Sequence, residues 1–260
     1  RHGHERLGYS KHALLKLRVS DIHPKFKDEA KWREHVHSVK KNGSRVFESS
    51  HRTLDGSFIP VEASLSFATV NGENYLLAIV RDISERKASE KAFIDELRRD
   101  PLTKLPNRAV LDDRLGQIIL DAKQGDRLVI AVYVDIDNFK QINDTYGHVI
   151  GDGVLVTTAK RLGNCIRRSD IVTRLGGDEF LIVLTDIASL EIVSSITDKL
   201  VIEFKQPFNI SGTLVDVNAS MGVVKLGTEH DNAIKLIDAA DRAMYRAKAK
   251  VGTHIEYVNC

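Results

Sequence analysis

The chain has 260 residues, 42% hydrophobic and 28% charged, with a formal net charge of +2, the profile of a soluble protein of one large or two modest domains. That balance gives no reason to invoke nucleic-acid binding, and two cysteines, Cys165 and Cys260, make neither a disulfide framework nor a metal-ligand set. No apolar run approaches a membrane span and no signal-peptide pattern is present, so a cytoplasmic location is expected. Because the sequence begins at Arg1 and not Met, it reads as a fragment.

Residues 1–40 are polar, with helical pieces predicted around Lys11–Leu17 and Glu29–Lys40 and a turn at Asp21-Ile22-His23-Pro24. Three strands follow: Arg45–Leu54, then Phe58–Val70 with Ile59, Val61, Ala63, Leu65 and Phe67 on one face, then Tyr75–Val80. Asp55-Gly56 and Asn71-Gly72 between them are hairpin signals, so the reading is an antiparallel three-stranded meander. Leu7-Gly8-Tyr9-Ser10, Asp21-Ile22-His23-Pro24, His51-Arg52-Thr53-Leu54-Asp55-Gly56-Ser57 and Ala78-Ile79-Val80-Arg81-Asp82-Ile83-Ser84-Glu85-Arg86 resemble a PAS sensory domain over residues 1–86. The two N-terminal strands of a PAS sheet have no counterpart in this sequence. His23, His35, His37 and His51 are haem ligands on paper, although a single histidine is far more often a surface or hydrogen-bonded one. The cysteine motif of flavin-binding PAS domains is absent, so the domain's ligand is unknown.

From Asp82 or Ser84 a charged helix runs to Arg98-Arg99, with Phe93, Ile94 and Leu97 as its apolar positions, and Pro101 ends it. Such a helix bridges solvent or pairs with a second copy. Residues 87–100 read as a helical linker and 101–260 as the second domain.

The second domain alternates strand and helix patterns. Leu128–Val134 is an apolar strand and Gly151–Cys165 a helix. Ile171–Thr173 and Phe180–Leu184 form a hairpin around Gly176-Gly177, with Asp178 and Glu179 at its tip. A helix at about Leu190–Phe204 and a strand at Val215–Lys225 follow. The last helix, about Asp231–Lys250, carries Ala233, Ile237, Ala240, Ala243, Met244 and Ala247 on one face. Hairpins mixed with helices predict an α/β (α+β) fold, a central sheet covered by helices.

Strand 128–134 leads into Asp135-Ile136-Asp137-Asn138-Phe139-Lys140. An acid at a strand end is usually a helix cap or turn former, but α/β sheets also place ligand residues there. If the strands are neighbours, Asp135 meets Asp178 and Glu179, and hard oxygen donors of this kind suit Mg²⁺ or Mn²⁺ with a nucleotide's phosphates. Lys140 then meets the phosphates as a point charge, with the Asn138 and Phe139 amides at the helix start. A carboxylate matches the paired N1–H and N2–H donors of guanine. From the residues alone, though, a polar loop and a helix cap are the favoured reading of Asn143 and Asp152.

Asp100-Pro101-Leu102-Thr103-Lys104-Leu105-Pro106-Asn107-Arg108, Asp135 to Lys140, Asn143-Asp144, Gly147-His148, Asp152, Arg174-Leu175-Gly176-Gly177-Asp178-Glu179-Phe180 and Ala240 to Lys248 together resemble the GGDEF domain of diguanylate cyclases, in order and spacing, across 100–250. The resemblance implies a palm-like sheet and the condensation of two GTP to cyclic di-GMP and two pyrophosphates. It implies two Mg²⁺ (or Mn²⁺) ions per site, held by Asp135, the Ile136 carbonyl, Asp178 and Glu179. Asn143 and Asp152 read guanine, His148 lies near ribose or base, and Gly176 and Gly177 face the nucleotide. Lys140 and Lys248 bind the triphosphate, and Asp178 or Glu179 helps deprotonate the ribose 3′-OH. Arg167 and Asp170, in Arg-x-x-Asp spacing, form an inhibitory product site. One product from two half-sites implies a homodimer, regulated by the PAS-like domain. The family's Gly-Arg-Asn after the Ala-Lys pair is missing here, with Lys250 near its place. The rival reading is an inactive receptor for cyclic di-GMP or GTP.

Overall fold

A computed structural model describes residues 3–26, 28–125, 128–227, 232–250 and 252–258. It divides into two compact units, Arg1–Ile94 and Asp95–Cys260, so the boundary falls inside a helix, Ser84–Leu97.

In the first unit three short helices, α1 (Gly3–Arg6), α2 (Lys11–Leu14) and α3 (Val19–Ile22), precede a 3₁₀ turn at Pro24–Phe26 and helix α4 (Glu29–Asn42). The expected helix over Lys11–Leu17 therefore stops at Leu14. Asp28 caps α4 by accepting from the Ala30 and Lys31 amides. Strands β1 (Ser44–Arg52), β2 (Phe58–Val70) and β3 (Glu73–Asp82) form an antiparallel sheet in the order β1-β2-β3. The alternation of β2 is realised: Val61, Ala63 and Leu65 are buried, with Ile59 and Phe67 half-buried beside them. A cavity of about 410 Å³ is lined by Leu7, Leu14, Ile22, Ile59, His51 and Asp82, among others. Helix α5 (Ser84–Leu97) starts where the Asp82 carboxylate accepts from the Ser84 amide, and Phe93, Ile94 and Leu97 are exposed on it.

In the second unit, α6 (Arg108–Gly125) and α7 (Phe139–Tyr146) flank β4 (Leu128–Ile136) in sequence. Then come α8 (His148–Cys165), β5 (Ile171–Gly176), β6 (Glu179–Ile187), α9 (Leu190–Lys205), a small hairpin of β7 (Phe208–Ile210) and β8 (Thr213–Val215), β9 (Ala219–Lys225), α10 (Ala233–Ala247) and β10 (His254–Val258). The sheet order is β10-β9-β4-β6-β5, with β10 and β9 parallel and every other neighbour antiparallel. The single strand expected over Val215–Lys225 is broken. Asp216, Val217 and Asn218 separate a peripheral hairpin from a central strand, because residues 213–215 pair back onto Phe208–Ile210.

Period-two alternation decides which face each β4 side chain serves. Ile130, Val132, Val134 and Ile136 face a core built with α8 and α9, including Leu162 and Leu200. Ala131 and Tyr133 face a second core built with α6 and α10. The α10 apolar stripe buries Ala240, Ala243, Met244 and Ala247 against the sheet, with Ile237 and Ala233 packed at its margin. The helix lies so close that a Cβ on Gly222 of β9 would fall 2.1 Å from the Ala240 carbonyl oxygen. Backbone contact of this kind fixes the height of α10, and with it the residue that ends it, Lys248.

Candidate active site

The two central strands bring the acids together. β4 pairs with β6 so that Asp135 lies directly opposite Glu179 and Tyr133 opposite Leu181. Beyond the ladder the Ile136 amide donates to the Asp178 carbonyl at 3.3 Å. Asp135, Asp178 and Glu179 therefore gather where β4 and the β5–β6 hairpin meet, Asp135 at 4% exposure and the other two half-buried.

Burial is the main reason the Asp135 carboxyl is pushed up to about 6, and the Asp178 and Glu179 charges add to it. Lys248, the C-cap of α10, opposes the shift with its ammonium 2.8 Å from the Asp135 carboxylate. The Asp135 oxygen facing Lys248 is buried, so the ammonium is its charge partner. A buried carboxylate oxygen flanked by two further acids and balanced by one lysine ammonium is the chemistry of a hard-cation ligand. Among the described residues no cluster of three or more His, Cys, Asp or Glu is arranged to hold a metal.

The loop after β4 is not the helix cap that an acid there usually makes. Asp137 turns back, its carboxylate accepting from the Ser220 hydroxyl at 2.7 Å and its amide donating to the Asn218 carbonyl at 2.9 Å. Asn138 sits at the N-cap in the left-handed region (φ 56°) and makes no side-chain cap bond. The first amides of α7 are thus left to an external acceptor, as an anion site requires. Lys140, in the first turn, is exposed, whereas Phe139 packs on the core beneath. A cavity of about 350 Å³ beside this loop is lined by Asp137, Asn138, Asn218, Lys248, Lys250 and Gly252. Lys250, nearest to the family's missing arginine, pairs with Glu256 at 3.2 Å.

Asn143 and His148 lie at the junction of α7 and α8, with Asp152 one turn into α8. His148 and Asp152 are exposed and Asn143 is half-buried. Asn143 is held by a close approach the sequence did not advertise. A Cβ on Gly151 would fall 1.8 Å from Asn143 Oδ1, so only glycine leaves room for that amide.

A second unadvertised device shapes the hairpin tip. Gly177 is left-handed (φ 52°), a conformation costly for any residue with a Cβ. Arg174 donates from Nε and Nη2 to the Gly177 carbonyl at 3.0 and 2.7 Å, and from Nη1 to both Asp100 oxygens at 3.1 and 3.2 Å. Asp100 is in turn held by the Thr103 amide and hydroxyl, both at 2.7 Å. Asp100-Pro101-Leu102-Thr103 is therefore the far end of a brace on the Gly-Gly turn. The signal was present, since both stretches were recognisable motifs, but pairing residues 74 positions apart needs the fold.

The Arg167–Asp170 pair stands at the other end of the hairpin. Arg167 is exposed, whereas Asp170 is 7% exposed and accepts from the Arg167 amide at 2.9 Å and the Thr185 amide at 3.1 Å. Its carboxylate fixes the turn that presents Arg167. In the first unit His23, His35 and His51 come together around Phe26 and Phe47, with His23 and His51 ring centroids 5.6 Å apart, while His37 is exposed and outside the group.

The family model described as diguanylate cyclase, GGDEF domain, matches residues 97–254, and a PAS domain model matches residues 2–85. The bifunctional diguanylate cyclase/cyclic di-GMP phosphodiesterase MucR of Pseudomonas aeruginosa is 41% identical over 149 residues, 57% of this chain and 22% of MucR. Diguanylate cyclase TpbB of the same species is 35% identical over 209 residues, 79% of this chain and 48% of TpbB. The chain thus spans half or less of these relatives' length. The solved GGDEF domain of TpbB superposes with a TM-score of 0.57 at 36% identity, covering 61% of this chain and 99% of that one. With the family model matching residues 97–254, more than half of its length, the chain belongs to the GGDEF-domain diguanylate cyclase family.

Proposed function

We propose that the protein is a diguanylate cyclase that condenses two GTP into cyclic di-GMP and two pyrophosphates. The observation that carries this reading is the cross-strand pairing of Asp135 with Glu179 beside the Asp178 turn and the uncapped start of α7. In each of two steps a ribose 3′-oxygen attacks the α-phosphorus of the facing GTP. A new P–O bond forms, the bond to pyrophosphate breaks, and the 3′ proton passes to Asp178 or Glu179. Two Mg²⁺ or Mn²⁺ ions held by Asp135, the Ile136 carbonyl, Asp178 and Glu179 supply, when bound, Lewis-acid polarisation of the α-phosphate and charge stabilisation on the entering and leaving oxygens. The α7 amides of Asn138 and Phe139, with Lys140 and Lys248, bind the triphosphate. Asn143 and Asp152 accept from the guanine edge and His148 lies near the ribose.

One site holds one GTP, so turnover needs a second copy facing it across a two-fold axis. Residues 1–86 act as a sensory domain and 87–100 as the linker that sets how often the half-sites of 101–260 meet. Arg167 and the Asp170 turn bind the product and hold the enzyme back.

The test is incubation of the purified chain with GTP and Mg²⁺, with nucleotides resolved by chromatography. Cyclic di-GMP should form with wild type and not with Asp178→Ala. Product from the Asp178→Ala protein would refute the metal assignment, and cyclic di-GMP binding without turnover by the wild type would favour a receptor.

A further inference from the structure

We propose that Tyr133 is a positioning residue for the reaction, its buried hydroxyl donating to the Glu179 carboxylate and fixing that acid's orientation. The inference rests on the reading of Glu179 given above. Tyr133 precedes Asp135 by two residues, so both project from the same face of β4. Because Asp135 is opposite Glu179 and Tyr133 opposite Leu181, Tyr133 and Glu179 are diagonal neighbours, a separation that an aromatic side chain spans.

Packing leaves the ring little freedom. Tyr133 is 6% exposed and lies in the core that includes Leu181, Ala240 and Ala243. Its partner on β9 is Gly222, over which the α10 backbone closes. A phenol buried this way requires a hydrogen-bond partner, and the diagonal Glu179 carboxylate is placed within its reach. A donor to an ionised carboxylate is the stronger kind of hydrogen bond. Phenylalanine would fill the same space, which makes the hydroxyl the one atom whose presence packing does not explain.

The experiment is Tyr133→Phe in the full chain, alone and combined with Glu179→Gln, with two readouts: steady-state kinetics with GTP and Mn²⁺ binding by calorimetry. Partners that orient metal-binding side chains typically change affinity or activity by about 10- to 100-fold. The expected result is a fall in kcat and a weakening of Mn²⁺ binding of about 10-fold. KM for GTP should move less than about twofold, because the hydroxyl does not touch the nucleotide-binding residues. In the Glu179→Gln background Tyr133→Phe should change Mn²⁺ affinity no further, since the two act as one unit. Wild-type kcat and Mn²⁺ affinity in Tyr133→Phe, with Glu179→Gln impaired, would overturn the proposal alone. Equal Mn²⁺ losses in both backgrounds would overturn it as a general packing effect. Unimpaired Glu179→Gln would overturn it together with the assignment of Glu179.

Discussion

Acidification should unfold the first unit through its buried histidines, and the size of the effect follows from their surroundings. His23 is 2% exposed, stacks on Phe26 at a centroid distance of 4.1 Å and, among the described residues, has no hydrogen-bond partner for either ring nitrogen. Burial, with smaller contributions from His51, Lys25 and His35, pushes it from 6.5 down to about 4. The folded state therefore binds fewer protons than the unfolded chain between those values, and stability falls as pH drops from 6.5 towards 4. At 1.36 kcal/mol per pH unit of difference, His23 alone removes about 2 kcal/mol between pH 7 and pH 5, and about 3 kcal/mol in the limit. His51 and His35, both lowered chiefly by burial, add in the same direction. The carboxylates of the unit whose values are depressed, among them Asp55 and Asp82, stabilise it throughout this window and lose that contribution only at lower pH, so they do not offset the effect.

The sole tryptophan, Trp32, lies 5.1 Å from Phe26 and 6.2 Å from His35, ring to ring, so its fluorescence reports this cluster. Urea titrations at pH 7 and pH 5 should show the Trp32 midpoint lower at pH 5 by on the order of 1–2 M. In His23→Phe most of that difference should vanish. A wild-type midpoint unmoved between the two pH values, or a His23→Phe protein that keeps the full shift, would refute the reasoning.

Three further substitutions probe the scaffold of the active site. Gly222→Ala forces a Cβ against the Ala240 carbonyl oxygen and the Met244 amide; α10 must move, and thermal melting should report a loss of about 1–3 kcal/mol. Gly151→Ala should displace the Asn143 amide, because their atoms cannot coexist, and raise KM for GTP with little change in melting temperature. Arg174→Ala removes the brace between Gly177 and Asp100; kcat should fall about 10-fold or more through misplacement of the hairpin acids, with secondary structure by circular dichroism unchanged.

The elements legible in the sequence were those whose period or turn chemistry is local. Phe58–Val70 announced itself by alternation between two Gly turns, and the Gly176-Gly177 hairpin by the apolar runs on either side. Helix α6 was missed although Leu111 and Leu115 are wholly buried in it and Asn107 caps its start by accepting from the Val110 amide at 3.3 Å, a signal the sequence carried. Strands β7, β8 and β10 were missed for a different reason. Each has three to five residues and owes its conformation to a partner strand, not to propensity.

The site divides along the same line. That Asp135, Asp178 and Glu179 were acids at strand ends could be read directly, but their meeting depended on β4 and β6 being neighbours, which a sequence leaves open. The chain pairs β4 with β6 in a register that sets Asp135 opposite Glu179. A slip of one residue would turn Glu179 towards the α8–α9 core and Phe180 towards α10. Register is held against that slip by Phe180, Ile182 and Leu184, all wholly buried on the α8–α9 side, and by Leu181 and Val183 on the other. The acids contribute nothing to this choice, and two like charges facing each other oppose it. Hydrophobic burial across two cores is what brings carboxylates together at a point they would otherwise avoid. The Lys248 ammonium, carried there by the close seat of α10 on Gly222, offsets part of the cost.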